Sequence, residues 1–159
     1  MRAATIKGMT TAADRWKEHA RSELSRAGTR TGAAREAVVA HLGDQDCCLS
    51  AQDVFDGLRA EGRKVGIASV YRVLDQLSEL GLVHRVDLGG GTTRFEPALP
   101  GGEHHHHLVC DDCGRVDQFS DPRLESSLSR VAGSLGYELG GHDVVLHGSC
   151  RECTTTDLR

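Results

Sequence analysis

Aromatic side chains are scarce in this chain, with one Trp, two Tyr and three Phe making up 4% of 159 residues, so any core has to be built from aliphatic groups. Hydrophobic residues reach 38%, enough for such a core, and a folded protein is the expectation. No apolar run approaches the ~20 residues of a membrane span, and the first residues lack the short apolar segment of a secretory leader. The expectation is therefore a soluble, cytoplasmic protein with no membrane partner. There is no internal repeat, and a chain of this length fits one ordinary domain or two small ones, which excludes a collagen, a long coiled coil or a large barrel. Charge of a single sign is missing too. The net charge is −4, but residues 1–95 hold 14 Lys/Arg against 12 Asp/Glu, and residues 96–159 hold 5 against 11. Within the first 35 residues the count is 8 basic against 3 acidic. A basic front half thus precedes an acidic back half rich in His and Cys.

The periodicity divides the chain further. Residues 1–22 show no sustained pattern and read as an N-terminal tail or a fraying helix. Ala34, Val38, Val39 and Leu42 then fall at helical spacing, with Gly43 as the stop. Ser50 followed by Asp53 forms a cap pattern opening a second helix with Val54, Phe55 and Leu58 inward and Gly62 at its close. A third helix is expected from about Ser69, carrying Val70, Val73, Leu74, Leu77 and Leu80 on one face and ending at Gly81. Residues 82–88 and 92–96 read as strands around the turn Gly89-Gly90-Gly91. Three helices and a hairpin, over residues 23–96, are the order of a winged helix-turn-helix. The polar face of the third helix, with Tyr71 and Arg72 and with Arg26, Arg30 and Arg35 nearby in sequence, is the candidate for reading double-stranded DNA. Residues 97–103, with two Pro and two Gly, read as a hinge. Residues 104–153 then read as strand 105–109, a tight knuckle, strand 115–119, a helix capped by Asp121 with Pro122 at its first position, and a last strand 142–147; residues 154–159 are a short tail. The fold class is α+β, a winged helix-turn-helix followed by a small α/β domain.

The strongest chemical signal is the pair Cys110-x-x-Cys113 and Cys150-x-x-Cys153. Each turn presents two thiolates to one ion, and four sulfurs close a tetrahedron to water, as in a structural Zn²⁺ site. The four consecutive residues His104, His105, His106 and His107 alternate faces if extended, so His104 and His106 point one way and His105 and His107 the other. One strand can therefore serve two metal sites, with Glu96, Glu125 and His142 as candidate co-ligands. A zinc hydrolase is the rival reading. It is disfavoured because the four-sulfur site leaves no open position, and neither H-E-x-x-H nor H-x-E with P-C-x-x-C occurs.

These residues together resemble the ferric uptake regulator (Fur) family of bacterial metal-responsive repressors, over roughly residues 24–153. The likeness rests on Ile67-Ala68-Ser69-Val70-Tyr71-Arg72-Val73-Leu74, on Arg94-Phe95-Glu96, on the run 104–110 followed by Cys113-Gly114, and on His142 eight residues before Cys150. The resemblance implies a homodimer and not an enzyme. It implies an N-terminal winged helix reading an AT-rich palindromic operator through Ser69, Tyr71 and Arg72, a C-terminal dimerisation domain, and structural zinc on the paired cysteines. It also implies a sensory site for Fe²⁺ or Zn²⁺ using Glu96, His105 and His107, and a further site using His104, His106, Glu125 and His142. Peroxide sensing is known within the family as well. This chain departs from the iron-responsive pattern in having Cys48 where a His is usual before the second helix, and Gln118 where a hinge-site Glu is usual. His84 matches a wing ligand of the zinc-responsive branch and shares a strand face with Leu82 and Val86, so it is expected to turn inward; Leu99 or a neighbour stands where that branch has a wing Cys. Cys48 and His84 thereby join the candidate sensory ligands; a softer site with Cys48 and three histidines favours zinc or another late divalent ion, while Glu96 with two histidines also suits Fe²⁺.

Overall fold

The computed structural model describes residues 11–28, 32–45, 47–99 and 104–156. The chain divides into two compact units, Met1–Gly102 and Glu103–Arg159. The first unit opens with α1 (Ala12–Arg26), a correction to the expected tail. Thr11 and Asp14 form a reciprocal capping box at its start, and Trp16, Ala20 and Leu24, at i, i+4 and i+8, lie on one fully buried stripe. The indole Nε1 of Trp16 donates to the Leu82 carbonyl at 2.7 Å, tying this helix to the base of the hairpin. The signal was thin because the stripe has only three members among many charges.

Three further helices follow: α2 (Ala33–Gly43), α3 (Ala51–Ala60) and α4 (Ile67–Glu79). Ser50 and Asp53 form the anticipated box at the head of α3, each satisfying the other's backbone N–H. Val70, Val73, Leu74 and Leu77 of α4 are buried against Val38, Val39, Leu42, Val54 and Leu58, while Leu80 falls just beyond the helix and is exposed. The hairpin is β2 (Val83–Asp87) and β3 (Thr93–Pro97), paired antiparallel with Val83 opposite Pro97 and Asp87 opposite Thr93. Gly89, Gly90 and Gly91 at its tip have φ of 85°, 72° and 75°, a left-handed path that side chains resist. A two-residue strand that sequence periodicity is too short to reveal, β1 (Leu49–Ser50), pairs with β3 and gives the order β1-β3-β2.

The second unit consists of a three-stranded sheet and two helices. Its strands are β4 (His106–Cys110), β5 (Val116–Phe119) and β6 (Val145–Gly148), in the order β5-β4-β6, with β4 antiparallel to β5 and parallel to β6. The helix α5 (Pro122–Ser134) is capped by Asp121, whose carboxylate accepts from the N–H groups of Arg123 and Leu124, with Pro122 in the first turn. A short helix, α6 (Arg151–Thr156), starts inside the last Cys-x-x-Cys and occupies part of the expected C-terminal tail. Among the described residues of this unit, only His106, His107 and Cys110 are buried; α5 buries none, and Leu108, Val131, Leu135, Tyr137, Leu139 and Leu146 stand exposed.

Candidate metal centres and nucleic-acid face

The knuckle after β4 and the turn into α6 bring Cys110, Cys113, Cys150 and Cys153 together, with all four sulfurs within 4.8 Å of one another. The pairs Cys110/Cys153 and Cys113/Cys150 are each 3.8 Å apart and Cys150/Cys153 3.5 Å. A disulfide needs about 2.05 Å, whereas a tetrahedron of sulfurs about 2.3 Å from zinc has edges of about 3.8 Å. The donor set and spacing therefore fit a closed Zn²⁺ shell. The Cys110 thiol is lowered to about 6, chiefly by the backbone N–H of Cys150 and then by those of Cys113 and Asp112. The Cys150 N–H lies 3.2 Å from Cys110 Sγ. Donors aimed at sulfur favour the thiolate, which is the form that binds metal.

A second cluster joins β4 to α5 and to the segment before β6. His104, His106, Glu125 and His142 each offer a ligand atom within 4.8 Å of the others. His106 Nε2 lies 2.7 Å from Glu125 Oε1, His142 Nε2 lies 2.9 Å from Glu125 Oε2, and the Nε2 atoms of His104 and His142 are 3.1 Å apart. These are hydrogen-bond separations, shorter than the roughly 3.3–3.6 Å edges of a tetrahedral shell with bonds of about 2.0–2.2 Å, and it is the donor set, three imidazoles with one carboxylate, that suits a borderline divalent ion. Burial raises the Glu125 carboxyl, but the His106 hydrogen bond and the facing His142 and His104 outweigh it, leaving the group below its ordinary range. His105 lies on the other side of the run, its ring centroid 5.1 Å from that of His107. Although His104 and His105 precede β4 and are not paired in the sheet, the chain there is extended enough for the odd and even histidines to separate. Gln118 lies opposite His107 on β5.

In the first unit, Cys48 is buried at the turn before β1, and Glu96 is buried on β3, the central strand. Cys48 Sγ and a Glu96 carboxylate oxygen lie within 4.8 Å of each other. Cys47 stands beside them with its Sγ 3.8 Å from that of Cys48. A hydrogen bond from the Cys48 thiol lowers Cys47 to about 7, while that bond, together with burial, raises Cys48. His84 pairs with Glu96 across the β2/β3 ladder, but its ring is exposed rather than turned inward, as expected of the residue that follows the buried Val83 along a strand.

The candidate DNA face lies on α4. Tyr71 is 52% exposed, and Arg72 is exposed with its Nε donating to the Ala68 carbonyl at 3.2 Å and Nη2 to Ser69 Oγ at 3.4 Å. The guanidinium is thus laid along the helix surface beside Ser69. Arg30 falls outside the described residues. Arg35 corrects the expectation of a surface contact, being only 8% exposed. It occupies position i of the stripe that Val38, Val39 and Leu42 continue at i+3, i+4 and i+7, so the phase of α2 carries it inward. Among the described residues no helix is long and apolar enough to cross a membrane.

The model of the Ferric uptake regulator family matches residues 26–147. A ferric uptake regulation protein of Bordetella parapertussis is 44% identical over 105 residues, which is 66% of this chain and 74% of that protein. The solved ferric uptake regulator of Vibrio cholerae aligns with a TM-score of 0.73 at 35% identity, covering 82% of this chain and 98% of that one. The regulator of Helicobacter pylori, described as having three functional metal binding sites, aligns with a TM-score of 0.78 at 26% identity over 92% and 97% of the two chains.

Proposed function

Since the chain belongs to the ferric uptake regulator family, whose members are DNA-binding dimeric transcription regulators and not enzymes, we propose that it is a cytoplasmic, metal-dependent repressor of metal-homeostasis genes. It acts as a homodimer on an AT-rich palindromic operator. What carries this reading is the presence, in one chain, of an exposed Tyr71–Arg72 face on a winged helix and of two ligand clusters in a unit that buries almost nothing else. Cys110, Cys113, Cys150 and Cys153 hold structural Zn²⁺, and His104, His106, Glu125 and His142 form the additional site. Glu96, His105 and His107 are the sensory ligands, joined by Cys48 and, through a rotation of its exposed ring, His84. A bound Fe²⁺ or Zn²⁺ would supply the positive charge that these carboxylate, imidazole and thiolate donors neutralise.

The residues explain how sensing reaches DNA. Glu96 closes the wing, and His105 and His107 open the second domain, so ligands on both sides of residues 97–103 restrict the hinge when they hold the same ion. In a dimer the hinge sets the separation of the two α4 helices, and a palindrome accepts a spacing of about 34 Å per helical turn. With Gln118 in place of a carboxylate and Cys48 in place of an imidazole, the donors lean towards zinc. The test is operator binding at buffered free Fe²⁺, Zn²⁺, Mn²⁺ and Ni²⁺. Linkage predicts that operator tightens metal binding by the factor by which metal tightens operator binding, a coupling of ~1–3 kcal/mol. His105→Ala with His107→Ala should abolish the metal response while the four-cysteine zinc and the dimer persist. A double variant that still responds would move sensing to His104, His106, Glu125 and His142.

A further inference from the structure

Adjacent cysteines ordinarily diverge, because consecutive side chains of an extended chain point to opposite faces. Cys47 and Cys48 do not. The chain bends just before β1, and the two sulfurs sit 3.8 Å apart on the same side. Cys48 is 1% exposed, Cys47 is half-buried, and a carboxylate oxygen of the buried Glu96 is within 4.8 Å of Cys48 Sγ.

The separation discriminates between two chemistries. A disulfide would require the sulfurs to close to about 2.05 Å across neighbouring residues, whose Cα atoms, about 3.8 Å apart, fall short of the 4.4–6.8 Å that unstrained disulfides span. A chelate requires no such movement. The 3.8 Å bite equals the Cys110/Cys153 and Cys113/Cys150 edges of the four-cysteine cluster in the same molecule. We propose that Cys47 and Cys48 act together as a dithiolate chelate for a thiophilic divalent ion, with Glu96 as third donor, so that the regulatory site of this chain is sulfur-rich and selects zinc-like ions over Fe²⁺. The inference rests on the reading of Cys48 and Glu96 as sensory ligands and adds Cys47, which that reading leaves unused. Two thiolates and one carboxylate place three negative charges on one ion, and soft donors of this kind favour Zn²⁺ over the harder Fe²⁺.

The probe is Co²⁺, whose bonds to thiolate sulfur give an ultraviolet charge-transfer band that scales with the number of sulfurs. One equivalent per chain is added to the full-length dimer with its four-cysteine site already holding zinc, and zinc content is checked to remain constant. The expected result is a sulfur-to-cobalt band that falls to about half in Cys47→Ser and disappears in the Cys47→Ser, Cys48→Ser double variant. Because Cys48 is buried, its substitution could disturb folding, so the half-buried Cys47 carries the decision and circular dichroism verifies its fold. An unchanged band in a folded Cys47→Ser protein, or no band in the wild type, overturns the proposal. Operator binding measured on the same samples separates the two readings. Metal-dependent binding with an unchanged band leaves the repressor standing and removes the chelate. A halved band without operator binding under any metal keeps the chelate and removes the repressor.

Discussion

At the scale of single residues, the second unit is marked by a cluster of four cysteines more than by buried aliphatic side chains. Cys110 is buried and receives the Cys150 N–H at 3.2 Å, whereas Leu124, Leu128 and Val131 of α5 remain partly or wholly exposed. Under the proposed zinc site, a unit with so little buried apolar surface would draw stability from the metal cross-link, because structural zinc contributes folding energy directly. Cys113→Ser should therefore lose zinc and melt the second unit far below the wild type, with operator binding gone even at saturating regulatory metal. Zinc content by mass spectrometry under native conditions and a thermal melt check this; a dimeric variant with a full zinc complement would refute it. Chelator treatment of the wild type should reproduce the same loss.

Among the elements, α1 depends most on its cap. The Asp14 carboxylate accepts from the Thr11 hydroxyl at 2.8 Å and from the Thr11 N–H at 3.2 Å, and these bonds, the hydroxyl first, hold the group below the ordinary carboxylate range. A carboxyl lowered on folding adds stability that is present above its unfolded value and is lost as pH falls through its folded one. Asp14→Ala should accordingly be less stable than the wild type at neutral pH, and the gap should close as pH drops below the usual carboxylate range. Denaturant midpoints measured between neutral and strongly acidic pH test this, and a gap independent of pH would remove the cap from the account. The element matters because Trp16 on α1 holds the carbonyl of Leu82, the residue that precedes β2 and so sets the start of the wing.

For the whole molecule, the exposed apolar residues of the second unit define what the monomer lacks. Leu108, Val131, Leu135, Tyr137, Leu139 and Leu146 are between 40% and 73% exposed, a concentration that isolated domains rarely leave in water. A second copy of the chain is the partner that the family's dimeric members suggest. Val131→Asp with Leu135→Asp should yield monomer by analytical ultracentrifugation, with the four-cysteine zinc retained. Operator affinity should drop by about 10²-fold or more, because linking two half-site contacts in one dimer raises avidity by that order. A dimeric double variant would place the interface elsewhere.

The sequence by itself determined the helices α3 and α4, the hairpin, the α5 cap and the grouping of cysteines, because each is written in local terms: a stripe at helical spacing, a Ser-x-x-Asp box, a run of glycines, two Cys-x-x-Cys turns. The division of the histidines was legible for the same reason, since alternation along an extended segment needs only the neighbouring residues, whereas the grouping of His104 and His106 with Glu125 and His142 came from the family resemblance. What only the tertiary structure decided depends on contacts distant in the chain. Trp16 turns residues 12–26 into a buried helix by packing into the first unit and reaching Leu82, 66 residues away. β1 exists because Leu49 finds Phe95 across the sheet. Arg35 is drawn inward by the phase of α2 against the core, and His84 is left in water because Val83 takes the buried face of β2. The approach of the Cys47 and Cys48 sulfurs arises from a backbone bend that residue types do not encode, since the entry of β1 into the sheet sets its direction. Local pattern chooses elements and donors; burial and pairing choose which side each donor faces.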